Sequence, residues 1–484
     1  MDTSLASAGP YILILLFISI IVIILLTTKF RLHPFLSIIT ATYLFGLGAN
    51  LIGQIMFGKS LIESISKTMA SGFGGILGEI GLVIIFGTII GKVLEKTGAA
   101  VTMAETVLKW IGDRHPALGM SVIGWVVSIP VFCDSGYVVL SSLNKSVAKK
   151  ANVNVVVTSV ALATGLYASH TFVPPTPGPI AAAGNLGIGA NGLIWVILFG
   201  AFVSLFTMFA GYIWATRFSK DLPADLPGLQ ETFEEYKAGF GNIPTAFQAF
   251  APILIPIILM ALGSIANFPV GTLPDGSKET LLSGGLYTVV DFVGKPVTAL
   301  FIGVIFAFLL LAKNRGEEAL TNWVGEGMKD AAIIIMITGA GGAFGTMIAA
   351  TPIADYIKTL LGEGSIFVGA GALFILFFIA ALLKTAQGSS TTALVVTSTI
   401  AMPLMSILGL DVMMGNIPIG QVLAVMAIGS GAMVVSHVND SYFWVVSQFS
   451  GMSVTTAYRA QTMATLVQGI TGIVVTFLLG LLFL

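Results

Sequence analysis

Asp134 stands in the run "SIPVFCDSGYVVL" (128–140), which is otherwise apolar enough to face lipid. A charged carboxylate at the centre of a membrane helix costs about 2.5–3.5 kcal/mol even on the lenient insertion scale, so such a residue faces a cavity or serves a function. Two chemistries suit it here: accepting a proton, or ligating a substrate hydroxyl. If a helix begins at this point, Ser135 and Gly136 offer backbone N–H groups to an anion. An aspartate that caps the same helix would be compatible with either role.

The segment "QGSSTT" (387–392) is the counterpart in the second half of the chain. Gly388 frees the backbone, while Ser389, Ser390, Thr391 and Thr392 set hydroxyls beside a helix N-terminus. That combination suits a carboxylate and polyol groups, or capping alone. Lys384, just before it, reads as a point charge for an anionic substrate, as the partner of an aspartate, or as a lysine snorkelling to the interface. Two further polar breaks each carry a histidine. "SHTFVPPTPGP" (169–179) holds His170 and Thr176 among prolines that cannot continue a helix. "SHVNDSYFW" (436–444) gathers His437, Asn439, Asp440 and Ser441. Histidine titrates in the physiological range, so His170, or His437 with Asp440, is a candidate relay for a coupling proton.

The elements that must position these residues follow from composition. Of 484 residues, 56% are hydrophobic and 9% charged, and the mean hydropathy is +0.97. A soluble domain carries about 25% charged residues, so this is an all-α polytopic membrane protein. The 56 glycines let helices pack closely where lipid offers no hydrophobic drive. A formal charge of −1 implies no nucleic-acid partner, and a single cysteine, Cys133, excludes an intrachain disulfide. The start "MDTSLASAGP" lacks the basic stretch of a signal peptide, so 11–28 is expected to be a retained span.

Further spans are expected at 35–57, 76–94, 153–182, 192–216, 246–268, 296–312, 330–350, 418–449 and 460–484. Two apolar stretches, 117–150 and 365–405, are interrupted by polar centres, and each arm is too short to cross. They read as re-entrant hairpins, tolerated at membrane depth only beside protein or a water-filled cavity. With the N-terminus outside, sixteen of the 22 Lys and Arg fall on the inner side, obeying the positive-inside bias. Both termini are then outside. The chain divides into an N-terminal repeat (1–216), a cytoplasmic linker (217–245) and a C-terminal repeat (246–484). "FGTIIGKVLEKTGAA" (86–100) is echoed by "FGTMIAATPIADYI" (344–357), and five crossings per half require the repeats to be inverted. Inverted repeats with broken helices at the midplane are the signature of secondary transporters.

One motif misleads. "GQIMFGKS" (53–60) matches the phosphate-loop pattern, but it ends an apolar span with no strand before it. The four histidines show no metal-ligand spacing, and no metal or cofactor is expected. Ser135 has no evident base, so an enzyme is not expected.

The segments "KFRLHPFLSIITA" (29–41), "GFGGILGEIGLVI" (72–84), "IPVFCDSGYVVL" (129–140), "VPPTPGPIAAAG" (173–184), "TAQGSSTTALV" (385–395) and "SHVNDSYFW" (436–444) resemble the gluconate permease family. The resemblance runs along nearly the whole chain. It implies a bacterial inner-membrane symporter for gluconate or a related small hydroxy-carboxylate, commonly driven by protons. It also implies the ion-transporter superfamily fold, in which a transport domain carrying the hairpins moves in elevator fashion against a scaffold that usually dimerises. By carry-over, Asp134, Ser135, Gly136, Gly388, Ser389 and Ser390 look like the substrate motif, with Thr391 beside it. The breaks at His170–Gly178 and His437–Asp440 would complete it. The family often has histidine where this chain has Thr176, and its members also take other hydroxy acids and D-serine. Asp134, His437 and Asp440 are the candidate proton acceptors. Two rival readings are a sodium-coupled carrier of a small carboxylate or D-serine, with Asn439 and freed carbonyls as sodium ligands, and an anion channel.

Overall fold

In the computed structural model of the chain, residues 5–30, 32–111, 115–188, 192–224, 233–267, 269–272, 278–311, 319–353, 356, 368–437 and 440–484 are described, and nearly all of the regular structure is helical. The first half holds α1 (Gly9–Thr28), α2 (Pro34–Phe57), α3 (Ile65–Lys96), α4 (Ala99–Ile111), α5 (Pro116–Val127), α6 (Cys133–Lys150), α7 (Val155–Phe172), α8 (Pro177–Asn185) and α9 (Leu193–Phe218). After a short α10 (Phe233–Ala238), the second half holds α11 (Ala246–Ala266), a two-stranded antiparallel ribbon of β1 (Pro269–Thr272) and β2 (Lys278–Thr280), α12 (Gly284–Gly294), α13 (Pro296–Leu311) and α14 (Val324–Ala349). It closes with α15 (Ala372–Gln387), α16 (Ser390–Ala401), α17 (Ile419–Ala432), α18 (Ser441–Ser450), α19 (Val454–Ala457) and α20 (Met463–Phe483).

Among the described residues, six helical segments are long and apolar enough to cross a membrane, or eight if two bent pairs each count as one. The chain is a multi-pass membrane protein. Helices that meet lipid show it: Leu51 and Ile55 on α2, Leu309 on α13 and Leu478 on α20 are largely exposed. By contrast α7, α8, α16 and α17 are buried almost throughout.

Both interrupted stretches fold as paired short helices. The 117–150 segment gives α5 and α6, separated at Ser128–Phe132 around Pro130, with Ser128 Oγ donating to the Val131 carbonyl at 2.9 Å. The 365–405 segment gives α15 and α16, separated at Gly388–Ser389. The expected spans 153–182 and 418–449 are each broken in two, the first at Val173–Thr176 and the second between α17 and α18. The stretch "GQIMFGKS" is the end of α2 followed by a turn at Gly58, with no strand before it. Several elements differ from the sequence reading, the β1–β2 ribbon and α12 among them, since both lie between the expected spans 246–268 and 296–312. α3 reaches well beyond 76–94 to 32 residues, and α4 was not anticipated, because its alternation of apolar and charged residues is too amphipathic to read as a span. The 217–245 segment is tied down at both ends. Asn154 Nδ2 donates to the Lys220 and Leu222 carbonyls at 2.9 and 3.0 Å, and Thr102 Oγ1 donates to the Pro244 carbonyl at 2.9 Å.

Buried polar helices need close approach, and glycine supplies it. A Cβ on Gly165 of α7 would sit 2.0 Å from the Ser121 carbonyl of α5, while one on Gly124 of α5 would sit 2.5 Å from the Leu162 carbonyl. The Ser121 hydroxyl bonds the Ala161 carbonyl at 3.1 Å across the same crossing. Across the two halves, Asn185 at the end of α8 donates to the Val395 carbonyl, Ser398 Oγ and Thr399 Oγ1 of α16, at 3.1, 2.9 and 3.1 Å. Gln468 of α20 ties to the Thr164 and Thr207 carbonyls of α7 and α9.

Gly165→Ala is therefore expected to lower the thermal midpoint of the purified protein by several degrees, through a helix crossing that cannot relax. Gly75→Ala, where a Cβ meets nothing, should leave it unchanged or slightly higher. Equal midpoints for the two variants would show that the α5–α7 crossing is not tight.

Candidate substrate site

Three chain breaks build one site beside α7, a fourth follows α7, and each is specified locally. α6 starts after the Pro130 turn; its N-cap is Phe132, with no side-chain cap, so Asp134 lies inside the first turn and does not cap it. α15 stops at Gly388, whose φ of +82° lies in the left-handed region that favours glycine. Ser389 then caps α16, its hydroxyl accepting from the Thr392 N–H at 3.2 Å. α8 begins on Pro177, a residue suited to the first helical position. α18 is capped by Asp440, whose Oδ1 accepts from the Tyr442 N–H at 3.1 Å.

The starts of α6, α16 and α18 converge on a cavity of about 260 Å³. Asp134, Ser390, Thr391 and Ser441 line it from these helix starts, with Tyr167 and His170 from α7. Each helix start leaves up to four N–H groups without intrahelical partners and carries a partial positive charge. A small anion suits such a place. Asp134 is half-buried at its edge; Ser441 Oγ donates to Asp134 Oδ1 at 3.2 Å. Among the described residues Asp134 has no ion pair.

Behind the cavity lies a salt bridge with almost no exposed surface. Lys384 is 0% exposed, and its Nζ donates to Asp440 Oδ2 at 2.6 Å and to the Gly388 carbonyl at 2.5 Å. Asp440 Oδ2 also accepts from Ser436 Oγ at 2.5 Å. The Tyr167 ring lies 5.7 Å from the ammonium and stacks on Tyr442, whose hydroxyl bonds the Ala163 carbonyl at 2.8 Å. Of the three readings of Lys384 the structure keeps the pairing with an aspartate and removes the snorkelling one, since no part of the side chain reaches an interface.

The anticipated residues divide. Asp134, His170, Gly388, Ser389, Ser390, Thr391 and Asp440 all line the cavity. Ser135 and Gly136 do not; the Gly136 N–H is engaged by the Phe132 carbonyl at 2.8 Å, and a Cβ there would meet Leu166 at 2.8 Å, so Gly136 serves helix packing. Thr176 also lies off the cavity, its hydroxyl donating to the Val173 carbonyl at 2.6 Å within the proline turn. His437 bonds the Thr385 carbonyl through Nε2 at 2.8 Å. Its side chain and that of Asp440 therefore form no pair, because Asp440 is taken by Lys384. Asn439 lies outside the described residues. Tyr167 and Tyr442 also line the cavity, and nothing in the sequence singles them out from other aromatics in apolar spans. Ser441 was noticed only as part of a polar cluster. No cluster of metal-ligating side chains occurs among the described residues.

A family model described as GntP family permease matches residues 11–482. The chain is 29% identical to a gluconate permease of Pseudomonas aeruginosa, over 98% of its own length and 99% of that protein. It is also 29% identical to a D-serine transporter of Escherichia coli K12, over 96% of its length and 97% of that protein. Among solved structures it is similar in fold to the YdaH transporter of Alcanivorax borkumensis, with a TM-score of 0.65 at 15% identity, over 92% of this chain and 98% of that one.

Removing one partner of a buried ion pair leaves an uncompensated charge, typically at about 3–5 kcal/mol, whereas removing both is far milder. Lys384→Met and Asp440→Asn should each lower the thermal midpoint strongly, and the double variant should recover much of that loss. A double variant as unstable as the sum of the singles would show that the two groups act independently.

Proposed function

This chain belongs to the GntP permease family, and on that premise we propose that it is a secondary transporter importing gluconate or a related small hydroxy-carboxylate together with protons. It is a permease and not an enzyme. The observation that carries the reading is the charge balance of the cavity. Asp440 is neutralised by Lys384 at 2.6 Å, while Asp134 faces the same space with no ion pair among the described residues. An anion bound 4 Å from ionised Asp134 would be repelled by about 4 kcal/mol at an effective dielectric of 20. A proton on Asp134 removes that term and leaves three helix starts facing the carboxylate. Proton and anion then favour each other's binding, and linkage makes the effect reciprocal.

In this reading Asp134 carries the proton, Ser390, Thr391 and the starts of α6, α16 and α18 hold the carboxylate, and His170 faces the hydroxylated end of the substrate. Lys384 and Asp440 support the tip, and His437 bonds the Thr385 carbonyl beside it. The matching order of elements in residues 1–216 and 246–484, each with a paired short helix and then a broken one, supports two inverted repeats joined by the 217–245 linker. Alternating access would follow from movement of the site-bearing helices against the lipid-facing ones. The distribution of Lys and Arg supports both termini outside, and the family resemblance supports a bacterial inner-membrane location and a homodimer.

Asp134 itself favours one second substrate. The ammonium group of D-serine would pair with ionised Asp134, so a zwitterion would need no proton at that site. Sodium is the alternative coupling ion.

The test uses proteoliposomes. Wild-type protein should accumulate labelled gluconate under an inward proton gradient, and Asp134→Asn should retain exchange but lose accumulation. Accumulation that follows sodium at constant pH, or that survives in the variant, would overturn the role given to Asp134. D-serine uptake indifferent to the proton gradient, with gluconate ignored, would select the second substrate.

A further inference from the structure

We infer that Ser441 is a shared ligand that passes its hydrogen bond from Asp134 to the substrate carboxylate when a proton arrives, an inference that rests on Asp134 as the proton carrier. Ser441 is the first residue of α18 and is exposed to the cavity, with its hydroxyl on Asp134 Oδ1 at 3.2 Å. Its place is not set by Asp134. The preceding residue, Asp440, is anchored by Lys384 at 2.6 Å, by Ser436 at 2.5 Å and by its own cap on the Tyr442 N–H at 3.1 Å. The hydroxyl therefore stays at the cavity wall whichever acceptor it serves.

A serine hydroxyl has one hydrogen to give. When Asp134 is ionised, it is a charged acceptor beside that hydrogen, and a charge-assisted bond is about twice as strong as a neutral one. Once Asp134 is protonated it becomes a weaker acceptor, and an incoming carboxylate becomes the charged group in reach. The hydroxyl then turns to the substrate. In the unprotonated state the anion is refused twice, by repulsion from Asp134 and by the engagement of its donor. The other titratable groups facing Asp134 are Cys133 on its own helix, Tyr167 and His170 from α7, Lys384 from the end of α15, and Asp440 and Tyr442 from α18; α16 contributes only uncharged hydroxyls. Of these, Lys384 and Asp440 are committed to each other. Among the described residues, the hydrogen bond from Ser441 to Asp134 is what joins the α18 start to the α6 start.

A merely structural serine and a shared ligand differ in how their loss depends on pH. The half-saturation of labelled gluconate exchange would be measured in proteoliposomes at an acidic and an alkaline pH, for wild type, Ser441→Ala and Ser441→Thr. At acidic pH, where the hydroxyl serves the substrate, Ser441→Ala should weaken binding about tenfold or more. At alkaline pH, where Asp134 already holds the hydroxyl, wild type and Ser441→Ala should agree within about twofold. Ser441→Thr, which keeps the hydroxyl, should restore the wild-type profile. The same loss at both pH values, in a wild type whose affinity does depend on pH, would overturn the shared ligand and leave the proton reading standing. A wild-type affinity that does not change with pH would overturn both. If Ser441→Ala fails to assemble, Ser441→Cys, with a weak donor of similar size, carries the same comparison.

Discussion

A lysine with no exposed surface and an aspartate joined to it at 2.6 Å hold the centre of this protein together. Every chain break at membrane depth releases backbone groups that lipid cannot satisfy. The ammonium of Lys384 answers two of these problems at once. It takes the Gly388 carbonyl at the end of α15 and fixes Asp440, which in turn takes an N–H at the start of α18. The pair sits 56 residues apart in sequence, so it also fastens one interrupted helix to another. Without the lysine, Asp440 would be a buried, unpaired charge behind a cavity that already contains Asp134.

This arrangement depends on helices that come unusually close. α7 lies at the middle: glycine contacts seat it on α5, Gln468 joins it to α20, and Tyr442 reaches its Ala163 carbonyl. A helix so enclosed cannot make room for its neighbours by tilting into lipid. Its register therefore sets where Tyr167 and His170 meet the cavity. The Asn185 contacts between α8 and α16 do the same for the second tip. The geometry of the cavity is thus inherited from backbone packing, with hydroxyls and caps as the final adjustment.

Local chemistry was legible in the sequence where one residue type admits few explanations. Asp134 in an apolar run, Gly388 before four hydroxyl residues and the prolines after His170 each marked a helix break, and each is one. Contacts across the fold were not legible in the same way. Nothing near Lys384 in sequence names Asp440 as its partner, and once that pair forms, His437 is left to bond Thr385. Gly136 looked like a free donor because sequence cannot show that the Phe132 carbonyl already takes its N–H. Thr176 looked like a ligand beside a break, but its hydroxyl closes the turn on Val173. α4 was missed because its apolar residues cover one face only.

Of the two carboxylates at the cavity, Asp440 is neutralised by lysine and Asp134, the proposed proton carrier, has no ion pair among the described residues. An anion should therefore enter only with a proton. The direct measurement is the proton movement that accompanies gluconate uptake by the wild-type protein in tight proteoliposomes, with no proton gradient imposed and a pH-sensitive dye inside. The interior should acidify as gluconate enters, in fixed proportion to the amount taken up. Gluconate entry with no change in internal pH would contradict it.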